Sequence, residues 1–63
     1  MDYSEKLKIL RLQNHKTQSQ VAKELGISKT AYSNYENRIR KPNDTIKKKL
    51  AYYFNTSVED IFF

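Results

Sequence analysis

An all-α domain of five short helices is what this 63-residue sequence predicts. Three observations carry that expectation. Apolar residues recur at steps of three and four along nearly the whole chain, the spacing that places them on one face of a helix. Small polar residues stand where helices need N-caps, at Asp2 or Ser4, Thr17, Ser28, Asn43 and Ser57. No stretch alternates with the period of two that marks a half-buried strand.

The first helix is set by Tyr3, Leu7 and Leu10, with Ile9 and Leu12 widening the same face, and should run to about Asn14. Thr17 to Gln20 reads as a capping box, in which Thr17 accepts from the Gln20 amide while Gln20 reaches back. The second helix buries Val21, Ala22 and Leu25 and stops at Gly26, which adopts positive φ at little cost. Ser28 caps a third helix with Ala31, Tyr32 and Tyr35 inward. Residues 37–42 form a basic loop, and Pro42 pushes Lys41 toward extended geometry. Asn43 opens a fourth helix that buries Ile46, Leu50, Ala51 and Phe54. Asn55 and Thr56 break it. Ser57 and Asp60 read as a second capping box for a last helix carrying Val58, Ile61 and Phe62.

Length limits the chain to one small domain, residues 1–63, because a second core needs several times as many residues. The absence of cysteine excludes a disulfide scaffold, a Cys-ligated zinc module and a cysteine nucleophile. The lone His15 cannot anchor a typical zinc site, so no metal is expected, and a large cofactor pocket does not suit a chain this short. There is no nucleophile–base constellation and no phosphate-cradling glycine loop, so the chain is not expected to be an enzyme. No apolar run approaches the ~20 residues of a membrane span, and a cytoplasmic protein, bacterial or phage-encoded, is expected.

The net charge is +5, and its distribution is uneven. Residues 29–49 carry seven basic side chains against Glu36 and Asp44, the equivalent of the whole net charge, while residues 50–63 carry only Glu59 and Asp60. A positive centre favours an acidic partner such as nucleic acid. The last dozen residues, acidic and crowded with Tyr52, Tyr53, Phe54, Phe62 and Phe63, suit a different partner.

The second and third helices are joined by a tight turn containing Gly26, with Ile27 plugging the angle and Ala22 small enough for close crossing. That is the description of a helix-turn-helix, at about residues 18–37. From Leu7 to Ile61 the chain resembles the phage-repressor/Cro type of helix-turn-helix domain, also called the xenobiotic-response-element type. The matching residues are Leu7, Leu10 and Arg11, then Thr17 to Ser28, then Tyr32, Ser33, Tyr35, Glu36 and Asn37. Lys41-Pro42 and Leu50, Ala51, Phe54, Ser57, Val58 and Ile61 complete the pattern. Two positions depart from it. Lys16 stands where an apolar residue is usual, so its stem should pack while the ammonium reaches water. Arg38 stands where Gly is common, so Asn37 is expected to take the left-handed conformation instead.

The resemblance implies a compact, lambda-repressor-like fold whose third helix lies in the major groove of double-stranded DNA. Ser28, Lys29, Thr30, Ser33 and Asn34 would then face base edges. Their chemistry suits it: Lys29 can donate to guanine, Asn34 can pair bidentately with adenine, and Thr30 offers a hydroxyl and a methyl. A plain solvated face is the alternative for these side chains. Gln18, at the start of the second helix, would grip a phosphate. Asn37, Arg38, Arg40 and Lys41 would hold the backbone of the same half-site, positioning rather than specifying. Lys47, Lys48 and Lys49 are consecutive and fan around their helix, so at most one or two can face DNA. Arg11 and Glu36 are expected to form a structural ion pair linking the first helix to the end of the third.

One domain reads only a few base pairs, and two spaced about one turn of DNA, roughly 34 Å, read a palindrome. The resemblance implies a two-fold contact through the last helix, and with the aromatic surface of the tail a homodimer through Tyr53, Ile61, Phe62 and Phe63 is expected, the alternative being that the tail only closes the core. The leading expectation is a sequence-specific, dimeric transcriptional repressor of phage-like kind. The alternative is an antitoxin or similar regulator that binds a protein partner and autoregulates through its helix-turn-helix.

Overall fold

The computed structural model describes residues 2–63 and contains five helices: α1 (Tyr3–Gln13), α2 (Gln18–Leu25), α3 (Lys29–Glu36), α4 (Asp44–Tyr53) and α5 (Val58–Phe62). No strand occurs among the described residues. Each N-terminus is satisfied by the side chain that the sequence marks for it. Asp2 accepts from the amides of Ser4 and Glu5, Ser28 from Ala31, Asn43 from Ile46 and Ser57 from Asp60. Both halves of the Thr17–Gln20 capping box are present. The second expected box is only half made. Asp60 accepts from the Thr56 hydroxyl at 3.3 Å rather than from the backbone of Ser57.

The C-termini share one device. The residues that follow the first four helices, His15, Gly26, Arg38 and Asn55, all have positive φ, between 55° and 76°. In each case the next amide returns to a carbonyl five residues earlier: Lys16 to Arg11, Ile27 to Ala22, Ile39 to Asn34 and Thr56 to Ala51. This bond satisfies a carbonyl that the helix leaves orphaned and reverses the chain direction within two residues. One expectation needs correcting here. Asn37 keeps a φ of −98° and Arg38 takes the left-handed conformation, because the bond to Asn34 requires it one residue later.

These turns fold the helices around one core. α2 packs on α3, α1 lies against α3 and α5, and α4 packs on α5 and α2. Leu7, Val21, Tyr32 and Leu50 are fully buried at the centre, with Ala22, Leu25, Tyr35, Ala51, Phe54 and Ile61 around them. Tyr32 and Tyr35 meet edge to face with centroids 6.5 Å apart, as do Tyr53 and Phe54 at 5.0 Å, geometries that aromatic quadrupoles favour. Truncating Leu7 or Leu50 to Ala would cost about 2–5 kcal/mol. Ile9 and Leu12, expected on the inner face of α1, are exposed instead. They stand about 100° of helix rotation or more from Leu7, beyond the stripe that α3 and α5 cover.

Candidate nucleic-acid interface

The end of α3 is fastened to the starts of α1's last turn and α2 through one carboxylate. Arg11 donates from Nε to Glu36 Oε2 at 2.7 Å and from Nη2 to Oε1 at 3.2 Å. Its Nη1 donates to the Lys16 carbonyl at 3.0 Å. Gln18 donates from Nε2 to Glu36 Oε1 at 3.0 Å. The Glu36 side chain is 3% exposed. Burial pushes its carboxyl pKa up, but the hydrogen bonds and the positive charge of Arg11 outweigh that and hold it below the usual range. The Tyr32 hydroxyl is buried beside this network, close enough to act on its charges, yet makes no hydrogen bond of proper geometry. Burial, then Glu36, pushes its pKa upward.

With α3 fixed in this way, its outer side is open. Ser28, Lys29 and Thr30 are exposed, and Ser33 and Asn34 are half-buried. Ser33 accepts from the Asn37 side chain at 3.1 Å, so Asn37 is drawn back toward the helix. The backbone carbonyl of Asn34 accepts from the amides of both Ile39 and Arg40. The loop that follows is exposed from Asn37 to Lys41 and returns to the core at Pro42, which is buried.

One tight turn at Gly26, the two short crossed helices it joins and an outward third-helix face are the geometry of a helix-turn-helix, and a helix-turn-helix family profile matches residues 7–61. The chain belongs to this family. It is also similar to a protein of Enterococcus faecalis described as the HTH-type transcriptional activator BcrR, with 33% identity over 61 residues. That match takes in 97% of this chain and 30% of the relative, so the chain spans less than a third of the relative's length. No solved structure matches it.

Within this helix-turn-helix unit the structure refines several residues. Gln18 spends one amide hydrogen on Glu36, so part of its donor capacity faces inward. Lys16 is half-buried with its Nζ 3.8 Å from Glu24, a packed stem with a charged tip. Lys47, one of the three consecutive lysines, turns to its own end of the fold. Its Nζ lies 3.9 Å from Asp44 and 5.5 Å from the Phe62 ring centroid.

The aromatic tail divides. Ile61, expected in a dimer contact, is 3% exposed and belongs to the core. α5 packs on α1 and α4, with Ile61 buried and Val58 and Phe62 partly buried beside it. Phe62 is half-buried with its ring centroid 5.7 Å from that of Tyr3, and Tyr53 is half-buried with its hydroxyl donating to Glu24. Phe63 is 87% exposed and Tyr52, outside the expected dimer set, is 89% exposed. Asp2 and Tyr3, marked by the sequence only as a cap and a helix-face residue, also reach the basic loop. Asp2 stands 3.3 Å from Arg38, and the Tyr3 hydroxyl donates to the Arg40 carbonyl at 3.0 Å. Tyr3 has the spacing of a core residue, and nothing in the sequence links it to a carbonyl 37 positions away.

Among the described residues, no helix is long and apolar enough to cross a membrane.

Proposed function

We propose that the protein is a sequence-specific, double-stranded DNA-binding transcriptional regulator that acts as a homodimer on a palindromic operator. The observation that carries this reading is the division of α3. Its inner side gives Tyr32 and Tyr35 to the core, while Ser28, Lys29 and Thr30 stand in solvent and an exposed loop with Arg38, Arg40 and Lys41 follows directly. α3 enters the major groove. Lys29, Thr30, Ser33 and Asn34, with Ser28, read base edges. Gln18, Asn37, Arg38, Arg40 and Lys41 hold phosphates and set the register. Membership of the helix-turn-helix family and the likeness to a transcriptional regulator support the assignment.

The dimer brings two such units to one side of the duplex. Phe63, Phe62 and Tyr53 supply apolar surface to a two-fold contact. A dimer seated on an operator that overlaps a promoter excludes polymerase, so repression is the mode proposed. The relative is described as an activator, which favours a second reading, with the same operator contacts and polymerase recruited instead.

Anisotropy of a labelled duplex across a salt series tests the DNA-binding reading, since log K should fall by about 0.9 per neutralised phosphate. Sedimentation at high micromolar concentration tests the dimer. A monomer there, or a stable complex with a different protein in place of the second copy, would contradict it. A promoter–reporter fusion gives the sign of regulation.

A further inference from the structure

The first turn of α1 reaches the basic loop from the side, and Asp2 divides its carboxylate between two tasks. Oδ1 caps α1, accepting from the amides of Ser4 at 3.0 Å and Glu5 at 3.1 Å and from the Ser4 hydroxyl. That fixes the carboxylate in place and leaves Oδ2 to meet Arg38 Nη1 at 3.3 Å. The loop is held to receive it. Asn34 pins the backbone after Arg38 by two hydrogen bonds, and the Tyr3 hydroxyl pins the Arg40 carbonyl. The Arg38 side chain is still 69% exposed, so an anion can approach it from solvent.

A carboxylate and a phosphate offer a guanidinium the same thing, an anionic oxygen acceptor. We infer that Asp2 is an internal stand-in for a DNA phosphate: it occupies Arg38 in the free protein and must release it when the loop grips the duplex. This rests on the DNA-binding reading above and adds to it a residue that makes no DNA contact itself. Two consequences follow from the exchange. Affinity is lower than the loop's basic charge alone would give. The salt dependence is also shallower, because salt screens the Asp2–Arg38 attraction and so relieves the competition while it weakens the DNA contact.

Asp2→Asn isolates the effect, since Asn caps helices as well as Asp and lacks only the charge. The probe is a fluorescein-labelled, mixed-sequence duplex of about two helical turns. No operator is needed, because the phosphate contribution is independent of sequence. Asp2→Asn should bind about two- to fivefold tighter than wild type at low salt, the span that exposed ion pairs cover. The slope of log K against log salt should steepen, because the gain is largest at low salt and shrinks as salt screens the pair. Both changes should vanish when Asp2→Asn is combined with Arg38→Ala. Asp2→Ser, a second uncharged cap, should repeat the result and guards against a fault peculiar to one variant. Affinity and slope equal to wild type in both cap variants overturn the inference, as does a gain that survives Arg38→Ala. Failure of wild type to bind the duplex in a salt-dependent way is a separate outcome, and it overturns the DNA-binding reading together with this one.

Discussion

Arg11 and Glu36, 25 residues apart in sequence, meet through two hydrogen bonds, Nε to Oε2 at 2.7 Å and Nη2 to Oε1 at 3.2 Å. The side chains are only 11% and 3% exposed, so neither charge has water to fall back on. Glu36 also accepts from Gln18, and one carboxylate thereby fixes the end of α3 relative to α1 and α2.

Removing that carboxylate leaves a guanidinium partly buried without its counter-charge. Glu36→Ala should lower stability by about 3 kcal/mol, measured by urea unfolding. The pH dependence has a definite sign. Glu36 has a folded-state pKa below its unfolded value, so its contribution is complete above the ordinary carboxylate range. It is lost as pH falls below about 4.3 and through the folded value. Glu36→Gln should flatten that acid limb, and an unchanged limb would count against the pair.

The alkaline side should respond to Tyr53. Burial and then the Glu24 carboxylate push its hydroxyl up to about 12. Its folded-state pKa is thus above the unfolded value, so stability is complete below about pH 10 and is lost as pH rises toward the folded value. Ultraviolet titration should find a tyrosine ionising near 12 that disappears in Tyr53→Phe. The contrary result would be a high-pH titration that Tyr53→Phe leaves unchanged.

The left-handed residues that close the helices give a reciprocal pair of substitutions. His15 is exposed at φ 55°, where a Cβ is penalised by about 1–2 kcal/mol and glycine by less. His15→Gly should therefore stabilise by about 0.5–1 kcal/mol without touching DNA affinity. Gly26→Ala, at φ 76° with nothing within 4 Å of the new Cβ, should destabilise by about 1 kcal/mol through backbone strain alone. Calorimetric melting of both variants checks the two signs together.

Base reading and phosphate holding should separate by their salt response. Lys29→Ala should cost about 1–3 kcal/mol on the preferred sequence, relax discrimination at one base pair and spare non-specific binding. Arg40→Ala should weaken binding to all sequences alike and reduce the salt slope by about 0.9. Identical behaviour of the two variants would argue against the division of roles.

Much of the fold is legible in the sequence because its signals are local. Thr17, Ser28, Asn43 and Ser57 cap helices with contacts three residues away, and Val21, Ala22 and Leu25 repeat at helical spacing. Gly26 announces its turn because glycine favours positive φ. His15, Arg38 and Asn55 do the same work without glycine, so their turns are set by the returning amide and carry little residue signature. What could not be read off is long-range polar geometry. Gln18 turning to Glu36, and Tyr3 and Asp2 bracing the loop at 37–42, depend on how three helices close on one another. Ile61 and Phe63 are both apolar and two positions apart, and only the packing of α5 sends the first into the core and the second into solvent.

The central claim, that α3 reads a two-fold symmetric sequence, is tested most directly by selecting bound duplexes from a random pool. The account predicts enrichment of one palindromic site with half-sites about one helical turn, roughly 34 Å, apart, weakened or altered by Lys29→Ala. A pool that binds with the expected salt dependence but enriches no sequence, or only a single unpaired half-site, would contradict it.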